Sequence, residues 1–169
     1  MDVIVTNLQH LAVDAKFIRA VVLQALRLHG YRTPPDVGVA LVDDGYIRML
    51  NREYRGGDHA TDVLAFPLDA DDGRAGENDV NEPVLGDIVI SVQRAREQAR
   101  QFKHPLRREV ALLAIHGLLH LLGYDDETEA AASAMWARQK ELLETILDTG
   151  LPPAGVPPHP PRRGGRDRR

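Results

Sequence analysis

The segment from Val110 to Leu122 is apolar on nearly every side when it is drawn as a helix, apart from two histidines. A helix that is hydrophobic all round is a buried one, because it has no polar face to turn toward water. Pro105 precedes the segment and suits the first turn of such a helix. The 169 residues are enough for one domain with a real core around this helix, and too few for two comfortable ones.

The spacing at which hydrophobic residues recur, together with the positions of Gly, Pro and capping residues, predicts eight further helices and strands. Strands are expected at Val3–Thr6, Val37–Val42, Asp62–Phe66 and Val84–Ser91. Helices are expected from Asp14 to Gly30, from Asp43 or Asp44 to Gly56, from Val92 to Phe102, and from about Thr128 to about Leu147. The order β-α-β-α-β-β-α-α-α predicts an α/β (α+β) fold: a single small domain over residues 1–148, with a mixed four-stranded sheet packed by about five helices.

The second strand is apolar on both faces in part, so we expect it to be central in the sheet. The third and fourth strands flank an acidic stretch, residues 68–83, which predicts an irregular hairpin around a long mobile connection. Several large side chains of the helices are expected to face inward: Tyr46, Ile47, Leu50, Tyr54, Phe102, Met135, Trp136, Leu142, Leu143 and Ile146.

Residues 149–169 are rich in Pro, Gly and Arg without any periodicity, which predicts a disordered tail. From residue 151 onward the tail carries five arginines and one aspartate, a charge of +4; the whole chain is −4, so residues 1–150 carry −8. A body this acidic excludes indiscriminate nucleic-acid binding over its whole surface and leaves only a local basic patch for that role.

The chain contains no cysteine, which excludes disulfides and thiolate metal ligands. No apolar run approaches membrane-spanning length, and the N-terminus lacks a secretory pattern. We therefore expect a soluble, cytoplasmic protein with no membrane partner.

His116 and His120 lie one turn apart on the same face of the buried helix. Gly123 can end that helix in a left-handed conformation, so that the chain doubles back and brings Asp126 toward the same point. Two nitrogen ligands and one oxygen ligand with a position left open are typical of a catalytic divalent metal, with Zn²⁺, one per chain, as the first expectation. The carboxylate of Asp126 is a harder ligand than an imidazole, so the site would accept manganese or magnesium more readily than a three-histidine site. Alternatively, Asp126 with Glu129 could cap the last helix.

Position 117 separates two reaction classes. Zinc metalloproteases place a glutamate general base directly after the first histidine, in H-E-x-x-H. Gly117 stands there in this chain and cannot act as a base. A zinc peptidase therefore remains an unlikely alternative that needs a base from outside the motif.

Four basic residues are candidates for contact with a phosphate backbone. Arg55 stands beside Gly56 and Gly57 on a helix-to-strand loop, where it can reach a phosphate oxygen or remain a solvated surface charge. Arg96, Arg100 and Lys103 are expected to share one helical face and could form an RNA-backbone track or an ordinary solvated face. The opposite face of that helix is an apolar stripe of Val92, Ala95, Ala99 and Phe102.

Three segments together resemble the YbeY endoribonuclease (rRNA maturation factor) family: LNREYRGGDHATDVLAFP at 50–67, LGDIVIS at 85–91 and HGLLHLLGYDD at 116–126. With the order of elements, the resemblance covers about residues 1–148. It implies a single-strand-specific, metal-dependent endoribonuclease that acts in ribosomal RNA maturation and ribosome quality control. Its implied partners are ribosomal RNA, in particular the 16S precursor, and the small ribosomal subunit.

The resemblance also assigns roles to individual residues. His116 and His120 match the family's first two zinc ligands, and Arg55 matches its active-site arginine. The third ligand is usually histidine, whereas this chain has Asp126. Gly57 stands where lysine is common, which would weaken phosphate binding, and Ala65 stands where serine is usual.

The resulting hypothesis is hydrolysis of an RNA phosphodiester, with His116 and Arg55 as catalytic residues. The metal would polarise a phosphoryl oxygen, activate water, or do both, while Arg55 stabilises the growing charge. The sequence identifies no general base and leaves attack by the substrate's own 2′-hydroxyl open. The rival hypothesis is a ribosome-assembly or RNA-binding module whose metal is structural, with a closed fourth coordination position.

Overall fold

The computed structural model of the chain describes residues 2–68 and 84–149. Its elements are β1 Val3–Asn7, α1 Ala15–His29, β2 Asp36–Val42, α2 Asp44–Arg55, β3 Val63–Pro67, β4 Val84–Ser91, α3 Val92–Gln101, α4 Leu106–Leu121 and α5 Glu129–Asp148. The predicted order of elements is confirmed, and the bounds differ by one or two residues. The predicted disordered tail after Thr149 and most of the predicted mobile connection lie outside the described residues.

The four strands form one mixed sheet in the order β1-β2-β4-β3. β1, β2 and β4 are parallel, and β3 pairs antiparallel with β4. The central place of β2 and the pairing of the third strand with the fourth are both as predicted. Within the part of the chain that the structure describes, β3 pairs with β4 alone, so its other side forms an edge of this sheet.

One face of the sheet is covered by α1 and α4, and α5 packs on both of these helices. α4 lies at the centre, in contact with β3, β4, α1, α3 and α5. Its surroundings explain its composition, because a helix enclosed on all sides needs apolar residues on all sides. The buried residues of α4 are Glu109, Val110, Ala111, Leu113, Ala114, Ile115, Gly117, Leu118, Leu119 and Leu121.

Gly117 lets α4 approach the sheet closely. A Cβ atom at this position would lie 2.6 Å from Cγ2 of Ile88 in β4, which is nearer than Cβ atoms come to other atoms. Ile88 is wholly buried and has no room to move aside. The glycine therefore sets how near the two histidines of α4 come to the sheet.

Among residues 2–68 and 84–149, the helix on the other face of the sheet is α2, over a small cluster of Val42, Ile47, Leu64 and Val89. Part of this face stays open, and Ile4 of β1 is 63% exposed there. The prediction that Tyr46 and Tyr54 face inward is wrong, since 43% and 65% of these residues is exposed. One short helix is too narrow to cover four strands, so Tyr46 and Tyr54 lie beside the part of the face that stays open.

The end of α3 also differs from the prediction. The helix stops at Gln101, and Lys103 follows in a left-handed conformation with φ 55°. His104 N–H donates to Ala99 and Lys103 N–H donates to Arg100, which is the Schellman pattern with a lysine where glycine is usual. Lys103 therefore does not share a helical face with Arg96 and Arg100, and that prediction is wrong.

Two aromatic rings predicted to pack inward are exposed instead. Phe102, the residue that follows α3, is 63% exposed, and Trp136 of α5 is 61% exposed. Both line a surface cavity of about 290 Å³. In the described parts of the chain, no helix has the length and apolarity needed to cross a membrane.

Candidate metal and phosphate site

The two histidines of α4 face each other across one turn of the helix. Their Nε2 atoms are 3.2 Å apart, and the rings meet nearly edge to face with centroids 4.8 Å apart. Two nitrogens bound to one tetrahedral zinc ion at about 2.05 Å each would be roughly 3.3 Å apart. The spacing of His116 and His120 therefore suits a shared ion without rearrangement of either ring.

The turn that ends α4 orients the ring of His120. Gly123, with φ 99°, ends the helix; its N–H donates to His120, and Tyr124 N–H donates to Leu119. This Schellman motif turns the Tyr124 carbonyl back toward the helix, 3.1 Å from Nδ1 of His120. Since a carbonyl oxygen only accepts, the hydrogen of the neutral ring is on Nδ1 and the lone pair is on Nε2.

A side chain from another helix orients the ring of His116. Oε1 of Gln139 in α5 lies 2.7 Å from Nδ1 of His116 and accepts its hydrogen. Gln139 is only 4% exposed and stands among buried apolar residues of α5: Met135, Leu142, Leu143 and Ile146. Sequence reasoning missed Gln139, although a single amide within an apolar stripe is a signal that could have found it.

Both histidines thus donate through Nδ1 and turn bare Nε2 atoms toward each other. Two lone pairs at 3.2 Å with no hydrogen between them repel, and a cation placed near both removes the repulsion. Burial lowers the pKa of His120, and the nearby charges of His116 and Arg55 lower it further. The carboxylate of Asp126 and the hydrogen bond to the Tyr124 carbonyl act in the opposite direction. A lowered pKa favours the neutral imidazole that a metal requires.

Asp126 is the third member of the group. Ligand atoms of His116, His120 and Asp126 all lie within 4.8 Å of one another, the only such His, Cys, Asp or Glu group in residues 2–68 and 84–149. Thr128, whose side chain accepts from Ala131 N–H, caps α5. The alternative in which Asp126 caps that helix is therefore wrong, and its exposed carboxylate is free to turn toward the imidazoles.

Arg55 reaches the same place from the opposite face of the sheet. It is the last residue of α2, and Gly56 ends the helix with φ 77°. The guanidinium donates to the carbonyl of Ala65 in β3 and lies 5.4 Å from the centre of the Phe66 ring. Arg55, His116 and His120 line one surface cavity of about 260 Å³.

Hydrogen bonds from Asn51 of α2 hold the loop after Arg55 in place. Asn51 is buried, its side-chain amide donates to the carbonyl of His59, and its own carbonyl accepts from Gly57 N–H. A Cβ atom at position 57 would meet Asn51 at 2.8 Å and His59 at 2.9 Å. Gly57 therefore packs closely in this loop, and a longer side chain there would displace its neighbours.

The other basic candidates lie away from this cavity. Arg96 is half-buried in α3, whereas Arg100 and Lys103 are exposed at its end. None of the three lines the cavity that Arg55 shares with the histidines. The structure brings Arg55, His116, His120 and Asp126 together and leaves Arg96, Arg100 and Lys103 separate.

Comparison with known proteins agrees with this arrangement. The family described as Endoribonuclease YbeY matches residues 5–147. The chain belongs to this family. It is 45% identical over 150 residues to Endoribonuclease YbeY of Desulforamulus reducens, covering 86% of this chain and 97% of that protein. The YbeY protein of Bacillus subtilis is 42% identical over 126 residues, which are 71% of this chain and 78% of the other.

A solved structure gives the same fold. The solution structure of TM1509 from Thermotoga maritima matches with a TM-score of 0.58 and 28% identity, over 87% of this chain and 90% of the other. Within the YbeY family, Asp126 stands where the resemblance implies a histidine. The structure groups this aspartate with His116 and His120, so a carboxylate oxygen stands among the candidate ligand atoms in place of a third imidazole nitrogen.

Proposed function

We propose that this chain is a single-strand-specific, metal-dependent endoribonuclease that acts in the cytoplasm, in ribosomal RNA maturation and ribosome quality control. The observation that carries the proposal is the pair of bare Nε2 atoms 3.2 Å apart beside Arg55 in one cavity. The relatives named Endoribonuclease YbeY support RNA as the substrate. Ribosomal RNA, in particular the 16S precursor on the small ribosomal subunit, is the substrate we infer.

The metal proposed for the site is Zn²⁺, one per chain, held by Nε2 of His116, Nε2 of His120 and a carboxylate oxygen of Asp126. A divalent cation supplies Lewis acidity to a phosphodiester there. With one carboxylate in the set, the net charge of site and cation is +1, one unit less than with three histidines. This lower charge and the harder oxygen favour tolerance of Mn²⁺ or Mg²⁺.

Arg55 is proposed to bind the scissile phosphate. Its guanidinium already points into the cavity of the histidines, held by one carbonyl hydrogen bond and by the Phe66 ring. A guanidinium has five N–H donors, so hydrogens remain for two phosphate oxygens. As negative charge grows on those oxygens during cleavage, Arg55 stabilises it in place.

The cavity favours an enzyme over a module with a structural metal. Structural zinc sites are closed by four protein ligands. Here the described residues offer a group of three candidate ligands, and two of them, His116 and His120, line an open cavity of about 260 Å³. The peptidase alternative gains no support. Gly117 packs against Ile88 in the sheet, where a glutamate side chain has no space.

The direct test is cleavage of an unstructured RNA by purified protein before and after chelation, paired with elemental analysis of the metal content. His116→Ala is expected to abolish cleavage and to lower the bound metal well below one per chain. His10→Ala, which changes an exposed histidine outside the site, is the control and should retain both. Full cleavage by a folded His116→Ala protein would reject the proposed function.

Arg96, Arg100 and Lys103 are proposed as more distant contacts to the RNA backbone. Charges of this kind bind without reading sequence, and they act through the release of counterions. Arg100→Ala is therefore expected to weaken binding to all single-stranded RNAs alike and to reduce the slope of log affinity against log salt by about 1. An unchanged slope would assign this side chain to the solvated surface.

A further inference from the structure

Tyr54 is a large aromatic side chain exposed directly beside the proposed phosphate-binding residue. It occupies the last turn of α2, next to Arg55, and is 65% exposed. Its ring is nevertheless held in place, since it meets Phe66 edge to face with centroids 5.7 Å apart. An aromatic ring that is held in place on one side and is mostly exposed can stack against a flat ligand.

A row of contacts connects this ring to the metal site. Arg55 lies over the Phe66 ring, and Phe66 in turn supports Tyr54. Arg55 lines the cavity of the two histidines, whereas Phe66 and Tyr54 line a second cavity of about 500 Å³. The two cavities are therefore neighbours on either side of the Arg55–Phe66 contact, at the edge strand β3.

The second cavity has the chemistry of a base-binding site and not of another phosphate site. It lies on the open face of the sheet, and its walls are largely aromatic and aliphatic: Tyr46, Leu50, Tyr54, Phe66 and Val89. Its charged residue is Asp87, whose carboxylate lies over Gly38, only 2.2 Å from where a Cβ atom of that glycine would be. A carboxylate repels phosphate but accepts hydrogen bonds from the amino groups of bases.

We propose that this cavity is a nucleobase subsite, in which a base next to the scissile phosphate stacks on Tyr54. The inference rests on the proposed function, because it takes Arg55 as the residue that fixes the phosphate. It also supplies a physical reason for single-strand specificity. Bases in a duplex are stacked on one another and paired, so they have no free face to offer to Tyr54.

The test is steady-state cleavage of a single-stranded RNA by wild type, Tyr54→Ala and Tyr54→Phe. A stacking contact made equally in the ground state and the transition state changes KM and leaves kcat alone. We expect Tyr54→Ala to raise KM roughly tenfold, the effect usual for the loss of one base–aromatic stack. Tyr54→Phe, which keeps the ring, should resemble wild type. Phe102→Ala removes an equally exposed ring outside both cavities and should change neither constant.

Substrates with one base removed locate the stacked nucleotide. For wild type, one abasic position beside the cleaved bond should raise KM roughly tenfold, and for Tyr54→Ala the same position should cause no further loss. The subsite is rejected if Tyr54→Ala has the wild-type KM, or if the abasic penalty is the same in both proteins. Wild-type protein that cleaves no RNA would instead reject the proposed function, so the two failures are distinguishable.

Discussion

The two imidazoles of the proposed metal site are held by different means, although they look equivalent in the sequence. Nδ1 of His120 donates to a backbone carbonyl in the turn after α4, which substitution of a side chain leaves in place. Nδ1 of His116 donates to Gln139, a side chain 23 residues away on α5. The orientation of His116, one of the two proposed nitrogen ligands, thus depends on a single buried amide.

Gln139→Leu is therefore expected to weaken metal binding while the fold persists, because leucine fits the apolar stripe of α5 but accepts no hydrogen bond. The loss of an oriented histidine partner usually costs 10- to 100-fold in metal affinity. Competition with a chromogenic chelator measures the dissociation constant directly. Gln139→Glu keeps an acceptor at the same place and should retain the affinity or increase it.

Leu143→Val separates the hydrogen bond from general packing. It loosens a buried contact of α5 and leaves Gln139 untouched, so it should lower the unfolding temperature without changing the metal dissociation constant. If Gln139→Leu binds metal as tightly as wild type, the amide has no positioning role. The same conclusion would follow if Leu143→Val lost as much affinity as Gln139→Leu.

At the scale of elements, the contact between α4 and the sheet at Gly117 determines how close the two histidines of α4 lie to the sheet. Gly117→Ala would put a methyl group 2.6 Å from Cγ2 of Ile88, in a core with no space. Overpacking of this kind costs about 1–3 kcal/mol, against a helix-propensity gain of about 1 kcal/mol. The difference is a net loss of about 0–2 kcal/mol in the free energy of unfolding, which we expect to be about 1 kcal/mol when measured with urea.

Gly45→Ala is the matched control for that substitution. Gly45 lies in the first turn of α2, and a Cβ atom there would find only Asp43 at 3.6 Å, an ordinary contact. Alanine should be neutral or slightly stabilising at this position. Equal effects of the two substitutions would show that propensity, and not the approach to Ile88, decides the outcome at Gly117.

What the sequence predicts well at this scale is local. The end of α4 at Gly123 and the convergence of His116, His120 and Asp126 all follow from spacing within one segment. The exposure of Tyr46 and Trp136 does not, because periodicity shows which side of a helix faces inward but not how much of that side a neighbour covers. Lys103 was missed because a non-glycine residue takes the left-handed position that ends α3.

The contact of Gln139 with His116 was out of reach for a related reason. It joins two helices whose relative rotation depends on how all the other side chains pack. The contact of Arg55 with Ala65 joins α2 to the sheet edge in the same way. The chemistry of the site could be predicted from local sequence, whereas the residues that hold it in position depend on tertiary structure.

In the molecule as a whole, the hydrophobic core is large enough that we expect the fold to be stable without a metal in the proposed site. The main hydrophobic cluster draws on α1, α3, α4, α5 and all four strands, and the site lies at its margin. We therefore expect the metal-free protein to stay folded, unlike a zinc finger. Removal of metal with a chelator should leave the far-UV circular dichroism at 25 °C unchanged.

Metal should still raise the unfolding temperature, because it binds only the folded state. Free Zn²⁺ at 100 times its dissociation constant adds about 2.7 kcal/mol, which for a domain of this size is a rise of roughly 10 °C. Asp126→Ala should reduce that rise, and Glu127→Ala, which changes the adjacent exposed carboxylate outside the ligand group and keeps the Glu127 N–H hydrogen bond to Asp125, should not. Collapse of the circular dichroism on chelation would mean instead that the metal holds the fold together, as the structural-metal hypothesis requires. A stable metal-free protein that regains RNA cleavage when Zn²⁺ is restored is expected only if the ion serves the reaction and the core alone maintains the fold.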